Sequence, residues 1–461
     1  MIDRIVQLSD WIWGPPMIIL LFISGIFLTV RLGFFHLRYA KYIFGQTVGS
    51  LFKKQNPTKQ AEGTISPFQA LTSALACTIG AGNIVGVPVA IMLGGPGAIF
   101  WMWVIALLAG AIKFSEVVLA VRYREKNAKG EYVGGPMYYI TKGLKMKWLG
   151  VWFAVALMFE VAASNMVQAN SLALSVKETF NISPIVTGII TMILVGAVII
   201  GGIKRIGSFT EKFVPFMVFI YLAGALFIII MNINMVGEVF GLIFGYAFKP
   251  MAAAGGFGGA VIAQAIRHGF ARGVYSNEAG VGTAPIAHAT ATTDHPVRQG
   301  LWGLAEVVID TLVVCTATAF VILSTGVWKA EGAGDDPSAL TSIAFSEGLG
   351  TIGGYVVTIS LLFFVVSTVI VLSFYGEKQA EFLFGHKAVW VMKVVYVLSI
   401  LIGAVGGAKV MWSLLDISLA AMAIPNIIAL LLLSKEVVRL KNEYFNSMDF
   451  YLGDIRRKKS A

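Results

Sequence analysis

Apolar stretches of about 20 residues, separated by short polar connections, recur eleven times along the chain. An α-helix needs about 20 apolar residues to cross the hydrocarbon core of a bilayer. The pattern therefore predicts an all-α polytopic membrane protein with eleven transmembrane helices. The predicted spans cover residues 11–32, 64–93, 97–121, 148–172, 183–202, 211–232, 257–288, 297–325, 351–375, 388–404 and 408–433.

The stretch Ala76–Pro88 departs from the apolar pattern inside its span, because it contains three glycines, a proline, a threonine and an asparagine. A broken helix is stable at membrane depth only where it is buried in protein or lines a cavity, since unpaired backbone groups are costly in hydrocarbon. Close packing of small residues against a neighbouring helix is the competing interpretation. Because Thr78 and Asn83 are not needed for packing, we expect the helix to unwind near Ile79–Gly82 and to bind a ligand there.

The ten spans after the first divide into two groups of five, at 64–232 and 257–433. Because each group has an odd number of spans, the second group starts on the opposite side of the membrane and is inverted relative to the first. Each group also opens with a glycine-interrupted span. In the second group this span is charged in its middle, and Gly269 and Gly273 flank Phe270. Paired broken helices in inverted repeats are typical of transporters that bind their substrate at the bilayer midplane. The sequence therefore predicts a 5+5 inverted repeat preceded by one extra N-terminal helix.

The repeats set the expected domain boundaries. These are an extra N-terminal helix with a basic cytoplasmic loop at 1–63, the first repeat at 64–232, an outer loop at 233–256, the second repeat at 257–433 and a basic cytoplasmic tail at 434–461. The outer loop 233–256 is expected to be too polar and broken to span. In the other outer loop, 326–350, the stretch from Ser338 to Leu349 is patterned like a short helix.

The net charge of +10 could suggest binding to nucleic acid, but the basic residues fall in short loops between spans. Their distribution instead indicates the orientation of the protein in a cell membrane. Of the 35 lysines and arginines, 26 lie in alternate connections between spans and in the C-terminal tail. By the positive-inside rule, the N-terminus is outside and the C-terminus is cytoplasmic. No obligatory protein partner is evident in the sequence, so we expect the partners to be the lipid bilayer and small solutes.

The predicted helix break suggests a zwitterionic ligand. The half-helix that follows Ile79–Asn83 would point its N-terminus into the protein, where free backbone amides attract a carboxylate. This arrangement fits an amino acid, whose ammonium group would be held by carbonyls released between Phe270 and Gly273. Phe270 is then a wall or lid of the pocket, and ordinary packing is the alternative role for this side chain.

Two further polar groups interrupt apolar spans. Gln168 shares one helix face with Ser164 and Ser171, and its amide can reach a central cavity. The alternative for these side chains is hydrogen bonding between helices. Ser367 and Thr368 are adjacent in another span, and their uncharged hydroxyl oxygens suit a dehydrated Na⁺. Bonding of such hydroxyls to their own helix is the more common alternative.

Ionisable residues inside membrane spans are usually functional or paired. We interpret those found here mainly as gating ion pairs near the cytoplasmic side, with Lys113 and Glu116 as a local pair. The alternative is a proton relay through Glu160, Glu306 or His268, which would make the protein an H⁺-coupled symporter. The ionisable residues inside the spans are Lys113, Glu116, Glu160, Arg267, His268, Arg272, Glu278, Glu306 and Asp310.

A channel is a further alternative to a symporter, and it would need a continuous polar pore.

The sequence gives no support for an enzyme or an ATP-driven pump. It lacks a GxxxxGK[ST] nucleotide loop, the spacing of metal ligands and a credible Ser-His-Asp arrangement.

Three motifs resemble those of the alanine or glycine:cation symporter family, within the wider amino acid–polyamine–cation group. The first is the signature Gly94–Trp103, and the second is Gly80–Asn83 with Pro88. The third is Ser276–Gly280 together with Gly282. The resemblance covers essentially the whole chain. The family signature continues past Trp103 and is expected to close with a glycine. In this chain the closing position is Ala109, which is one departure from the family pattern.

The resemblance implies a leucine-transporter-like fold and Na⁺-coupled uptake of small neutral amino acids such as alanine and glycine. Na⁺ is then the coupling ion, and no cofactor is expected. By similarity to that fold, Ala76, Ile79, Ser367 and Thr368 form one Na⁺ site, with a second at Thr78 and Asn83. The expected substrate-binding residues are Thr78, Ile79, Gly80, Gly82, Asn83, Gln168, Phe270, Gly273 and Asn277.

Overall fold

The structure is a computed structural model that describes residues 7–9, 11–51, 61–248, 258–334, 337–406 and 408–454. The basic run at the end of the predicted tail lies outside these residues. Almost all regular structure in the described part is helical, and a two-stranded antiparallel hairpin pairs β1 (Glu125–Lys126) with β2 (Tyr132–Val133).

The helices are numbered here in chain order. In the first half they are α1 (Pro15–Arg31), α2 (Phe35–Arg38), α3 (Ala40–Gln46), α4 (Pro67–Thr78), α5 (Val87–Gly94), α6 (Ala98–Arg122), α7 (Pro136–Tyr138), α8 (Lys147–Phe180), α9 (Pro184–Ile199), α10 (Gly202–Met231) and α11 (Val236–Phe248). In the second half they are α12 (Gly258–Asn277), α13 (Ala284–His288), α14 (Pro296–Val307), α15 (Thr316–Thr325), α16 (Leu340–Leu349), α17 (Thr351–Phe384), α18 (Lys387–Val405), α19 (Ala408–Leu432) and α20 (Ser434–Asn446). Segments of π-helix lie at Gly82–Gly86, Tyr139–Gly143 and Val308–Cys315, and 3₁₀ turns at Val48–Ser50, Ile233–Met235, Val327–Lys329 and Pro337–Ala339.

Each of the eleven predicted spans contains a helix, but fewer of these helices are clear membrane spans. In the described part of the chain, seven are long and apolar enough to cross a membrane, or eight if the bent pair Pro67–Thr78 and Gly82–Gly94 counts as one. Helices α1 and α9 are apolar but shorter, at 17 and 16 residues. The protein is therefore a helical membrane protein, and both the count of eleven and the inverted repeat stay predictions.

The loops and tail contain more helix than expected. The outer loop 233–256, expected to be too polar and broken to span, contains the apolar helix α11, which is shorter than a full span. The predicted short helix between Ser338 and Leu349 is confirmed as α16. The predicted tail begins with α20, whose buried residues include Val437 and Leu440. This part of the tail therefore packs on the bundle.

Large apolar side chains cover the outside of the bundle, as a lipid-facing surface requires. Phe159, Ile193, Phe219 and Trp390 are all more than 60 % exposed. Inside the bundle, α4 is enclosed by α10, α13, α14 and α17, and the π segment after it packs on α12. The predicted broken helix therefore lies in the protein interior.

Candidate functional site

The helix break predicted near Ile79–Gly82 is confirmed. Helix α4 ends at Thr78, and Ile79 is extended, with a ψ of 100°. The two parts of the span meet at an angle of 47°. Asn83 connects the two parts through its side chain and its backbone. Its side-chain Oδ1 accepts from the Gly80 backbone amide at 2.9 Å, and its own backbone amide donates to the Gly80 carbonyl at 3.2 Å. A short polar side chain therefore replaces helical hydrogen bonds at the break.

A narrow cavity lies beside the break, between α4, α8, α12 and α19. Among the predicted substrate-binding residues, Thr78, Gly80, Gly82 and Gln168 line this cavity. Its lining residues are Trp13, Cys77, Thr78, Gly80, Gly82, Glu160, Ser164, Gln168, Val274, Tyr275, Glu278, Val281, Leu415 and Leu419.

Gly80 lies between the cavity and the predicted cation site. A Cβ atom at this position would be 3.2 Å from Thr368 Oγ1 and 3.5 Å from Gln168 Nε2. Gln168 is buried, and its Oε1 has no hydrogen-bond partner among the described residues. Its amide is therefore able to bind a ligand at the break.

Two of the four predicted Na⁺ ligands are in direct contact. The Thr368 hydroxyl donates to the Ala76 carbonyl at 2.8 Å, which joins α17 to the last turn of α4. Ile79 is buried immediately after that turn. The Ser367 hydroxyl donates to the Phe364 carbonyl of its own helix at 2.9 Å. The Ala76 carbonyl oxygen of α4 and the Thr368 hydroxyl oxygen of α17 therefore lie close together. The Ser367 side chain would need to rotate to bring its hydroxyl to the same place.

The two residues of the predicted second Na⁺ site have separate partners. The Thr78 hydroxyl faces carbonyls of its own helix, at 3.4 and 3.5 Å. The Asn83 amide nitrogen donates to Asp310 Oδ1 at 2.8 Å and to Ser276 Oγ at 3.1 Å. Asp310 also accepts from Ser276 and Thr311, both at 2.7 Å. This buried carboxylate joins the π segments Gly82–Gly86 and Val308–Cys315, a role that sequence spacing did not reveal. The second site stays a prediction.

The predicted helix break between Phe270 and Gly273 is wrong, because α12 continues through both residues to Asn277. Phe270 packs against Phe22 and Trp101, with ring centroids 5.3 and 6.0 Å apart, and Gly273 packs against α6. Neither residue lines the cavity, and no carbonyls are released there for an ammonium group.

The interruption of this span lies further along the chain. Positive φ angles of 51°, 88° and 94° occur at Glu278, Gly280 and Gly282. Asn277, the last helical residue, donates to Thr311 Oγ1 at 3.3 Å and accepts from the Ala279 amide. Its side chain supports the turn and does not line the cavity.

The expected local pair of Lys113 with Glu116 is also wrong. Lys113 pairs with Glu306 on α14 at 3.1 Å, and both side chains are fully buried. His288 also contacts Glu306, at 3.2 Å. Glu116 instead accepts from the Gly280 amide at 3.0 Å and from Asn426 at 2.6 Å. These contacts fix the turn after α12.

Two carboxylates that we expected to act as gates or proton carriers line the cavity instead. They are Glu160 on α8 and Glu278 at the end of α12. Glu160 lies four residues before Ser164, on the polar face that includes Gln168. The same periodicity that identified Gln168 could therefore have placed Glu160 at the site.

His268 lies in a second, neighbouring cavity. This cavity shares Trp13 and Tyr275 with the first and is also lined by Ser9, Arg267, Arg272 and Asp416. The expected cytoplasmic position of the charges between Arg267 and Glu278 stays a prediction.

The sequence profile of the sodium:alanine symporter family matches residues 1–451. The chain belongs to this family. Members are secondary transporters and not enzymes, so this sodium:alanine symporter family protein is a multi-pass membrane transporter. The family implies Na⁺ as the coupling ion.

Relatives of similar length support this family assignment. An uncharacterized transporter of Bacillus subtilis, YflA, is 58 % identical over 453 residues, covering 98 % of this chain and 95 % of the relative. The sodium/alanine symporter AgcS of Methanococcus maripaludis is 46 % identical, with 93 % and 94 % covered. A putative sodium/proton-dependent alanine carrier of B. subtilis, YrbD, is 38 % identical, with 96 % and 92 % covered.

The fold is similar to that of MhsT, solved in complex with L-phenylalanine. The TM-score is 0.54 at 14 % sequence identity, and the match covers 82 % of this chain and 98 % of MhsT. A leucine-transporter-like architecture is thus supported for this family member.

Proposed function

We propose that the protein imports small neutral amino acids, such as alanine and glycine, together with Na⁺ by alternating access. The observation that carries this proposal is the contact of Thr368 with Ala76 beside a cavity at a broken helix. Uncharged oxygen ligands at the edge of a narrow, partly polar cavity suit an ion that travels with the substrate.

The broken helix provides two opposite electrostatic poles. The C-terminal end of α4 at Thr78 is negative, and the start of the next helical segment at Gly82 is positive. An amino acid bound between them would direct its carboxylate toward Gly82 and its ammonium group toward the end of α4. Gln168 Nε2 would donate to the carboxylate from α8, and its unpaired Oε1 would accept from the ammonium group. The narrow cavity favours a small side chain.

Na⁺ and substrate would be coupled through Gly80. A cation held by the Ala76 carbonyl and the Thr368 hydroxyl would fix the end of α4 in its bound shape. Gly80, which lies between Thr368 and Gln168, would then be held in position for the substrate. Each ligand would improve the affinity of the other by the same factor.

Proton coupling is the second hypothesis. Buried carboxylates at the cavity, Glu160 and Glu278, favour it, as does the similarity to YrbD, whose name includes proton dependence. His268 would serve this mechanism less well, since it lies in the neighbouring cavity. We rank Na⁺ first because the oxygen atoms around Ala76 need no titration.

The decisive experiment is uptake of labelled alanine into liposomes that contain the purified full chain. We expect saturable uptake under an inward Na⁺ gradient, competition by glycine, and no uptake under an H⁺ gradient alone. Uptake without Na⁺ that follows the pH gradient would favour proton coupling. Current that does not saturate with alanine would indicate a channel.

The proposed topology has eleven spans, with the N-terminus outside and the C-terminus in the cytoplasm. The excess of Lys and Arg in alternate connections supports it. Single cysteines added near either end should react with membrane-impermeant thiol reagents from outside only at the N-terminal end.

A further inference from the structure

The Na⁺-coupled mechanism proposed above assigns no role to the buried carboxylate of Glu160. It lies on α8, is 2 % exposed and lines the cavity. Ser164 and Gln168 follow at intervals of four residues, so the three side chains share one face of the helix. Glu160 is therefore part of the same wall that carries Gln168.

The hydrogen bonding of Glu160 differs from that of its neighbour Glu278. Glu278 accepts from the Thr283 hydroxyl at 2.5 Å and from the Cys77 thiol at 3.4 Å. Glu160 Oε2 has no hydrogen-bond partner among the described residues. Ser164, on the same face of α8, is the side chain that hydrogen-bonds the Glu160 carboxylate. A buried carboxylate oxygen without a donor is costly, so Glu160 Oε2 is suited to receive a positively charged ligand from the cavity.

The position of Glu160 indicates which cation it receives. Cys77, in the last turn of α4, contacts Glu278 and lines the cavity together with Glu160. This end of the cavity is thus next to the negative pole of the broken helix. Thr368, the proposed Na⁺ ligand, approaches the Ala76 carbonyl from α17 and is not among the residues that line the cavity.

We propose that the Glu160 carboxylate is the counter-ion of the substrate's ammonium group. This inference rests on the proposed function and replaces the carbonyls once expected between Phe270 and Gly273. The site then requires a protonated primary amine in its substrate. Propionate and lactate have the carboxylate and carbon chain of alanine but no amine, and they should not compete for binding. A site that hydrogen-bonds a substrate N–H strongly rejects analogues without it.

The test is binding of labelled alanine to the full-length protein in detergent at saturating Na⁺, with ²²Na⁺ binding measured separately without alanine. We expect Glu160→Gln to weaken alanine binding by roughly 10- to 100-fold, the range for a lost hydrogen bond to a charged group. Na⁺ binding without alanine should stay unchanged. Glu178→Gln is the matched control, because Glu178 is an exposed residue near the end of the same helix.

Two more variants keep the test informative if Glu160→Gln is unstable. Glu160→Asp keeps the charge on a shorter side chain and should restore part of the alanine affinity. Glu278→Gln should weaken alanine binding less than Glu160→Gln does, because Glu278 already has two protein donors. Thermal unfolding and gel filtration should accompany each binding measurement.

Three results would overturn the assignment of Glu160 while leaving alanine transport intact. One is wild-type alanine affinity in a folded Glu160→Gln protein. Another is loss of ²²Na⁺ binding by this variant without alanine, which would make Glu160 a ligand of Na⁺. The third is normal alanine affinity with lost pH dependence of uptake, which would make it a proton carrier. If the wild-type protein itself fails to bind or transport alanine, the proposed function is wrong.

Discussion

Replacing Thr368 with valine removes one hydroxyl group and nearly preserves the shape of the side chain. That hydroxyl donates to the Ala76 carbonyl at 2.8 Å, and the two residues are 1 % and 0 % exposed. The variant therefore loses a proposed Na⁺ ligand and leaves a buried carbonyl without this donor, a change worth about 1–3 kcal/mol. Since 1.4 kcal/mol is a factor of ten, we expect the half-saturating Na⁺ concentration to rise roughly 5- to 150-fold.

The assay is alanine uptake into liposomes over a series of Na⁺ concentrations, with choline replacing Na⁺ to keep ionic strength constant. Thr358→Val is the matched control on the same helix. Its hydroxyl bonds Thr179 at 2.7 Å, so this variant also loses a buried hydroxyl contact, but at a position that does not line the cavity. It should change stability and leave the Na⁺ dependence unaltered. Thr368→Ser keeps the hydroxyl and should stay near the wild type.

An unchanged Na⁺ dependence in folded Thr368→Val would refute the assignment. The contact with Ala76 would then be only a link between α4 and α17. A rise in the alanine KM that saturating Na⁺ does not reverse would also contradict it, because loss of a cation ligand should be overcome by more cation.

Three other substitutions test the rest of the site. Asn83→Leu should abolish uptake in liposomes while gel filtration stays normal, because its side chain holds the break at Gly80; normal uptake would remove Asn83 from the site. Gly80→Ala should raise both the half-saturating Na⁺ and the alanine KM, since its methyl group would lie 3.2 Å from a hydroxyl oxygen, whereas Gly241→Ala, in open space, should alter neither. Lys113→Met should lower the unfolding temperature in detergent, because it leaves the buried Glu306 without its lysine and with His288 as its remaining partner, a loss of about 3–5 kcal/mol. The double variant with Glu306→Gln should recover part of that loss, and a single variant as stable as the wild type would contradict the argument.

The first helix break could be predicted from sequence because its signal is local. Glycines, Thr78 and Asn83 interrupt an apolar run within a few residues, and the hydrogen bonds that hold the break also connect near neighbours. Nothing beyond this segment was needed to locate it. The same holds for α16, whose pattern is contained in one short stretch.

The second break was misplaced because glycine has two uses that look alike in sequence. At Gly273 the absence of a side chain allows close packing, and a Cβ atom there would lie 2.6 Å from Ile105. At Gly280 and Gly282 it allows positive φ angles. Only the three-dimensional neighbours separate helix packing from chain reversal.

Partners far apart in sequence could not be predicted. Lys113 and Glu306 are separated by 193 residues, and Asn83 and Asp310 by 227. Helix periodicity indicates which residues share a face, but not which helix covers that face. Helix α8 packs against α19, and Glu160 lines one cavity with Tyr275 and Glu278. That arrangement cannot be inferred from the periodicity of α8 itself.

The position of Gly80 gives the proposed coupling a measurable consequence. A Cβ atom there would contact both Thr368 and Gln168, so the ion site and the substrate site are separated by about one residue of backbone. Because binding linkage is reciprocal, Na⁺ should increase alanine affinity by the same factor by which alanine increases Na⁺ affinity. If Na⁺ acted only by neutralising charge, the coupling between Na⁺ and alanine would weaken as salt is added, because salt screens interactions between separated charges. Coupling through the backbone of Gly80 should instead persist at high ionic strength and fall when the glycine is replaced.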